Sequence, residues 1–462
     1  MPEPRSISRR VLMYSHDTFG LGHLTRTLRI AEAIQARYSN VSILILSGLP
    51  VAPYLPLPPR TDLVKLPSVL KSGPEQYQSR DLDVDFKQIR AIRRSVIKST
   101  AETFRPHVFL VDNVPLGMKG EILPTLELLR GKAKCVLNLR DILDEPDAIR
   151  ERWSDDGVHA ALDRFYDAIH VFGDERIFDA IEAYGLPVEK TQMLGYVTPN
   201  DRVPSSALPF VNGTARPRKV LVTAGGGGDG LPLLESAIYG LAEVHERGEY
   251  EIDIEVVTGP LMEDEARKTL LVAAAQAGAT VLEFVPDMPG RMRSSDLVIA
   301  MAGYNTCSEI LSCGAAALLH PRTHPRLEQK VRADAFESLG LARALPGGEP
   351  SPSAIADAVD AIFRDGHRLD ESALPMLSGQ RRSAEALSAW LEPTSESDPA
   401  PAGGGRMRIE DGGTDVSGGL LAQAFSVPTG RVDGKVSRAS RRRIGLRSTW
   451  VPPWPGAIAA SV

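Results

Sequence analysis

The chain alternates short apolar runs with longer segments whose apolar residues recur at helical spacing. The run VLMYSHD, for example, is followed by LTRTLRIAEAIQARY, in which Leu24, Leu28 and Ala31 fall on one helical face. Strands that are apolar on both faces lie between layers of helices, because both faces must be covered. The alternation therefore predicts an α/β fold built on mostly parallel sheets.

This alternation occurs twice. The first series of strand-like runs is VLMYSHD, VSILILSG, TDLVKLPSV, HVFLVDN, KCVLNLRD, AIHVFGD and KTQMLGYV. The second series is RKVLVTAGG, YEIDIEVVTG, ATVLEFV, SDLVIAMAG, AAALLHPR and LARALPG. We predict one Rossmann-like domain over 1–200, a linker over 201–217 and a second such domain over 218–392. Two domains of this kind leave a cleft between the carboxyl ends of their sheets, where ligands bind.

The last 70 residues, 393–462, contain 11 glycines and 7 prolines, a composition typical of low-complexity sequence, and we predict a disordered tail.

A net charge of −6 argues against a specific nucleic-acid partner. Three cysteines indicate a reducing compartment. No apolar run approaches the roughly 20 residues of a membrane helix. We therefore expect a cytoplasmic protein. Peripheral contact with a membrane surface is compatible with that location.

The first strand runs into the segment SHDTFGLGHLTRTLR. Glycines directly before a helix let backbone N–H groups approach a phosphate, and the helix N-terminus favours negative charge. The segment lacks the third glycine of the dinucleotide-binding motif, because Thr25 occupies that position. A simple strand-to-helix turn is the alternative. The residues predicted to act here are His16, Asp17 and His23 as candidate bases, and Gly20, Gly22 and Arg26 as phosphate contacts.

The second domain repeats this arrangement of glycines after a strand. A glycine run follows its first strand, and SDLVIAMAGYNTCSE places a second glycine loop before a helix that Asn305 or Thr306 would cap. A carboxylate near this helix start can accept hydrogen bonds from ribose hydroxyls, or it can merely complement the helix dipole. The candidate ligand contacts are Gly225, Gly226, Gly227, Gly303, Thr306, Glu309 and the later pair Glu328 and Gln329.

These motifs resemble the donor half of GT-B glycosyltransferases of the family 28 type, the family that includes the enzyme adding N-acetylglucosamine to the lipid-linked peptidoglycan precursor. The resemblance rests on GGGGDG, on the G-x-x-T-x-x-E spacing of Gly303, Thr306 and Glu309, and on the later EQ pair. It implies that Glu309 holds the ribose, that Thr306 and the glycine loop meet the diphosphate, and that the EQ pair meets the donor sugar. FGLGHLTR also resembles the nucleotide-sugar hydrolase of pseudaminic acid synthesis. The sequence departs from the family pattern at one point: RLEQ stands where the enzyme that acts on the lipid-linked precursor has two adjacent glutamines.

The resemblance implies a metal-independent glycosyltransferase that takes a nucleotide-sugar donor, with UDP-sugar the expected class and no further cofactor. The acceptor, whether small molecule, glycan or lipid, is not identified. His23 is the expected base, with Asp17 and His16 as alternatives. Asp112 and the pair Arg140–Asp141 end strands and are expected to face the cleft, where they would position an acceptor. A nucleotide-sugar hydrolase of the same fold and a catalytically silent binding protein are the other hypotheses.

Overall fold

The computed structural model describes residues 9–16, 21–73, 76–199, 216–366 and 369–392. The predicted tail, 393–462, and residues 201–215 of the predicted linker lie outside these described residues.

Fifteen strands are found in the described residues. They are β1 (Arg9–Tyr14), β2 (Val41–Ser47), β3 (Thr61–Lys65), β4 (Val69–Gly73), β5 (Gln76–Ser79), β6 (Val108–Asp112), β7 (Lys134–Arg140), β8 (Ala168–Phe172), β9 (Thr191–Met193), β10 (Arg218–Thr223), β11 (Ile252–Val257), β12 (Thr280–Leu282), β13 (Leu297–Ala300), β14 (Ala317–Leu319) and β15 (Arg343–Ala344).

Helices connect most of these strands. They are α1 (Gly22–Arg37), α2 (Phe86–Phe104), α3 (Leu123–Leu129), α4 (Pro146–Asp155), α5 (Val158–Phe165), α6 (Ala180–Tyr184), α7 (Leu231–Glu246), α8 (Asp264–Ala277), α9 (Met288–Arg293), α10 (Tyr304–Cys313), α11 (Glu328–Ser338), α12 (Pro352–Asp365), α13 (Gly379–Ala386) and α14 (Ser388–Leu391).

The strands form two parallel sheets, as the sequence predicts. The first has seven strands in the order β3-β2-β1-β6-β7-β8-β9, and the second has six in the order β12-β11-β10-β13-β14-β15. The strand order reverses beside β1 in the first sheet and beside β10 in the second. Helix α1 follows β1, and the glycine run that begins at Gly225 follows β10, so both lie at a switch point, where open α/β sheets bind ligands.

A short antiparallel hairpin of β4 and β5 interrupts the first domain. The sequence analysis treats TDLVKLPSV as one strand, but the structure divides it, with β3 in the sheet and Val69 already in the hairpin. Pro67 lies between them, and a proline has no N–H to continue a ladder of hydrogen bonds.

The final helices return to the first domain although they follow the second in sequence. The Tyr196 amide donates to the Met376 carbonyl at 2.7 Å, and the Tyr38 hydroxyl donates to the Ala384 carbonyl at 3.0 Å. The C-terminal part of the range 218–392 therefore packs against the first domain.

The two domains meet through a buried ion pair at the carboxyl ends of their sheets. Arg332 of α11 donates to both oxygens of Asp141, at 2.7 and 2.9 Å, and both side chains are fully buried. The Tyr196 hydroxyl donates to the same carboxylate at 2.7 Å. A buried charge pair is tolerated only when its hydrogen bonds are satisfied, and here two nitrogens of Arg332, the Tyr196 hydroxyl and the Ile142 amide all donate to Asp141.

Candidate functional site

An aspartate and a histidine form a dyad at the carboxyl end of the first sheet. His23 is the second residue of α1, and Asp112 is the last residue of β6. The His23 Nδ1 lies 2.7 Å from Asp112 Oδ2. Arg26, one helical turn after His23, donates to the other carboxylate oxygen at 2.5 Å. The geometry holds the imidazole in one orientation, as a catalytic base requires.

The electrostatics of the dyad favour a neutral imidazole. Burial acts to raise the pKa of Asp112, but the charges of Arg26 and His23 outweigh it and bring the pKa to about 2. Burial lowers the pKa of His23 below its usual value, and the Asp112 carboxylate offsets part of that decrease. An ionised Asp112 accepts the Nδ1 proton of neutral His23. The Nε2 atom then carries the lone pair that can accept a proton.

His16, the second candidate base, lies beside this dyad. Its ring meets the His23 ring edge to face, with centroids 5.3 Å apart. Burial, followed by the neighbouring His23, lowers the pKa of His16 well below its usual value. Two further candidates of this segment, Asp17 and Gly20, lie outside the described residues, whereas Gly22 is the first residue of α1.

The glycine loop after β10 has a backbone that only glycine accommodates at two positions. Gly225 has a φ of +66° and Gly227 a φ of +89°. A Cβ on Gly227 would lie 2.1 Å from the carbonyl oxygen of Thr258, and one on Gly225 would lie 3.4 Å from Oγ1 of Thr306. The structure thus brings the predicted loop and Thr306 together, as a shared diphosphate contact requires.

The helix α10 begins one or two residues earlier than the sequence analysis predicts. It starts at Tyr304 with Gly303 at its N-cap, and no side chain caps it. Asn305 does not cap it because its side-chain amide donates instead to the Gly22 carbonyl at 3.1 Å. Glu309 consequently lies in the second helical turn. This contact brings the N-termini of α1 and α10 together across the cleft.

Glu309, the predicted ribose contact, is ion-paired across the same cleft. Arg29 of α1 donates to Glu309 Oε1 at 2.8 Å, and each side chain is 16% exposed. Arg29 is not among the residues predicted from the sequence. The pairing crosses 280 positions of the chain, so no local pattern indicates it.

Glu328 and Gln329 begin α11 and are joined to the glycine loop by Arg322. The Arg322 guanidinium donates to Glu328 Oε1 at 2.9 Å and to Asp229 at 2.7 Å, while its amide donates to Gln329 Oε1 at 3.2 Å. Glu328 Oε2 is buried and accepts no hydrogen bond within the described residues. It is an acceptor suited to a sugar hydroxyl.

Asp141 does not serve the acceptor role that its position at a strand end suggests. Arg332 and Tyr196 occupy both of its oxygens, and it is fully buried. Its neighbour Arg140, the last residue of β7, is partly exposed. Within the described residues, no cluster of three or more His, Cys, Asp or Glu side chains could hold a metal ion. No helix of those residues is both long and apolar enough to cross a membrane.

Comparison with protein families finds a match within the second domain. Residues 220–387 match the family model described as the glycosyltransferase family 28 C-terminal domain. Gly225, Thr306, Glu309 and Glu328 lie within these matched residues.

Two curated relatives carry the name UDP-N-acetylglucosamine–N-acetylmuramyl-(pentapeptide) pyrophosphoryl-undecaprenol N-acetylglucosamine transferase. The one from Rhizobium etli is 32% identical over 123 residues, which are 26% of this chain and 33% of the relative. The one from Saccharopolyspora erythraea is 26% identical over 223 residues, 47% of this chain and 57% of the relative. The chain thus matches between a third and about three fifths of these relatives' lengths.

Solved structures confirm the predicted GT-B fold. MurG of Acinetobacter baumannii superposes with a TM-score of 0.54 at 14% identity, over 83% of this chain and 99% of that one. A putative UDP-N-acetylglucosamine 2-epimerase of Listeria monocytogenes gives a TM-score of 0.54 at 12% identity, over 82% and 96%. Proteins with different enzymatic activities share this fold, so the fold alone does not define the activity.

Proposed function

We propose that the protein is a glycosyltransferase that moves a sugar from a UDP-sugar to an acceptor hydroxyl without a metal ion. The observation that carries the proposal is the His23–Asp112 dyad, whose Nδ1 to Oδ2 distance is 2.7 Å, next to residues that match the family 28 model. The relatives named above act on UDP-N-acetylglucosamine according to their names, so this is the first donor to test.

In the proposed reaction, His23 Nε2 removes the proton of the acceptor hydroxyl. The hydroxyl oxygen attacks the anomeric carbon, the bond from that carbon to the diphosphate oxygen breaks, and UDP leaves with the bonding electrons. Attack opposite the leaving group inverts the anomeric configuration. Asp112 keeps Nδ1 protonated and stabilises the imidazolium that forms, as the carboxylate of a catalytic triad does.

The second domain would bind the donor. Backbone N–H groups of Gly226 and Gly227, together with Thr306 at the start of α10, would meet the diphosphate and stabilise its developing charge. Glu309 would accept hydrogen bonds from the ribose hydroxyls once its ion pair with Arg29 is broken. Arg322 holds Glu328 and Gln329 toward the glycine loop, which supports their role as contacts of the donor sugar.

A hydrolase that uses the same His23 to activate water is the main alternative. The deciding experiment measures UDP release from UDP-N-acetylglucosamine and other UDP-sugars, with and without a panel of hydroxyl acceptors, and identifies the products. We expect acceptor-dependent release, an inverted glycoside and the same rate in EDTA. Free sugar formed equally fast without any acceptor would support the hydrolase, and loss of rate in EDTA would contradict metal independence.

A further inference from the structure

A tyrosine of the second domain lies against the arginine that holds the dyad. Tyr304 is the first residue of α10, and its side chain is buried. The guanidinium carbon of Arg26 lies over the Tyr304 ring, 5.4 Å from its centre. A guanidinium within about 6 Å of the centre of an aromatic ring is attracted to the ring face, and the attraction is stronger when the two groups are out of water. Arg26 is 2% exposed, so this contact is a desolvated one.

Two groups hold the Arg26 guanidinium among the described residues. One is the Asp112 carboxylate, to which Nη2 donates, and the other is the Tyr304 ring. The same Nη2 atom lies 3.3 Å from Nδ1 of His23, but that nitrogen carries its own proton toward Asp112. The buried Nε of Arg26 donates no hydrogen bond in the described part of the chain. The aromatic ring is therefore a main determinant of where this guanidinium lies.

The Tyr304 ring is itself held by the contact between the domains. Its hydroxyl accepts a hydrogen bond from the Val197 amide at 3.1 Å. The Tyr196 ring stacks on it, with centroids 5.4 Å apart and an angle of 21° between the planes. Tyr196 also donates to Asp141, the carboxylate that pairs with Arg332 across the domains. The ring position thus depends on how the two domains meet.

We propose that Tyr304 is a positioning residue for the His23–Asp112 dyad, which it serves by holding Arg26 against the Asp112 carboxylate. The inference rests on the proposed function, which assigns proton removal to His23. The dyad and its arginine belong to the first domain, whereas Tyr304 belongs to the domain assigned to the donor. The base is therefore held in full only where the two domains meet. A cleft that opens takes the ring away from Arg26 and leaves His23 less firmly oriented.

This arrangement has a measurable electrostatic consequence at His23. Burial is the largest cause that lowers the pKa of His23, and Asp112 raises it. The charges of Arg26 and Arg140 lower the same pKa, and the His16 ring also contacts the imidazole. A guanidinium released from the aromatic ring can move away from the dyad, and its charge then lowers the pKa less. Loss of the aromatic ring should therefore raise the pKa of His23.

The test measures the pKa of His23 by NMR of the histidine rings in the full-length protein, with the signal assigned from its absence in His23→Gln. Tyr304→Leu removes the aromatic ring, and Tyr304→Phe keeps it. We expect the pKa of His23 to rise by about half a pH unit in Tyr304→Leu and to keep its wild-type value in Tyr304→Phe. Tyr38→Leu is the matched control, because Tyr38 is also buried with an arginine, Arg37, over its ring, but at the other end of α1. It should leave the pKa unchanged.

A double-variant cycle shows whether the ring acts through the arginine. Arg26→Gln should itself raise the pKa of His23, and Tyr304→Leu should add no further rise once Arg26 is replaced. An unchanged pKa of His23 in Tyr304→Leu would overturn the proposal. A rise of the same size with and without Arg26 would also overturn it, because the ring would then act by another route.

Turnover separates this inference from the proposed function. In the UDP-release assay, kcat should fall about tenfold or more in Tyr304→Leu, because the base is misplaced, while Tyr304→Phe should keep most of it. UDP affinity should stay nearly unchanged in both variants. A kcat of Tyr304→Leu equal to that of wild type would contradict the positioning role. Coupled pKa changes in a protein that releases no UDP from any donor would support the positioning of His23 and contradict the proposed function.

Discussion

His23 and Asp112 lie 89 positions apart in the chain, yet a single hydrogen bond joins them. In the proposed reaction, His23 removes the proton and other side chains bind the donor. We therefore expect His23→Gln to lower kcat about 10²–10⁴-fold, the range for a general base, with UDP affinity nearly unchanged. Steady-state kinetics and UDP titration of the same variant check it. A kcat above about a tenth of wild type would exclude the base role.

Asp112 sets the pH dependence of the same step. His23 works as a base only when neutral, and its lowered pKa places the acidic limb of the kcat/KM profile below pH 6.5. The Asp112 carboxylate raises the pKa of His23, so Asp112→Asn should move this limb to still lower pH while reducing kcat. An acidic limb that keeps its position in Asp112→Asn would show that the carboxylate does not act through His23.

The loop after β10 carries a prediction at the scale of an element. Gly227 has a φ of +89°, and the Cβ of a Gly227→Ala variant would clash with the Thr258 carbonyl, so the loop must move. We therefore expect UDP affinity to fall at least tenfold. Gly248→Ala is the matched control, because Gly248 has a φ of +78° and no atom within 4 Å of its added Cβ. Both variants are compared by calorimetry and thermal unfolding. Equal UDP affinity in the two would remove the loop from the donor site.

Elements differ in how far the sequence predicts them. The helix-like segment FKQIRAIRRSVIKSTAETF coincides with α2, because its apolar residues keep helical spacing and Asp85 caps its start. The start of α10 is predicted wrongly, since the side chain of Asn305 bonds to the distant Gly22 carbonyl rather than to its own helix. Local chemistry determines the first element, and a contact across the cleft determines the second.

The same distinction holds for the candidate site. The strand-end rule predicts that Asp112 faces the cleft, and the structure confirms it but adds His23 and Arg26 as its partners. The rule also points to Asp141, whose pairing with Arg332 depends on how the two domains meet. No sequence pattern within either domain indicates how the two domains are arranged. The sequence therefore predicts which residues lie in the cleft better than it predicts which of them form ion pairs or hydrogen bonds.

At the scale of the whole molecule, the Arg29–Glu309 ion pair links the two domains through the residue assigned to the ribose. Ribose binding must break this pair, which at its partial exposure stabilises the contact by at most about 1 kcal/mol. Arg29→Ala should therefore tighten UDP binding by up to about fivefold, as measured by calorimetry. Weaker UDP binding in this variant would indicate that Arg29 itself contacts the nucleotide.

The most direct test of the central claim is a calorimetric titration of UDP into wild type and Glu309→Ala, with the exposed Glu246→Ala as control. We expect wild type and Glu246→Ala to bind UDP with equal affinity. We expect Glu309→Ala to lose about 1.5–3 kcal/mol of UDP binding free energy, the range for hydrogen bonds to a charged group. A wild-type protein that does not bind UDP, or a folded Glu309→Ala variant that binds it as tightly as wild type, would contradict the assignment of this cleft to a nucleotide-sugar donor.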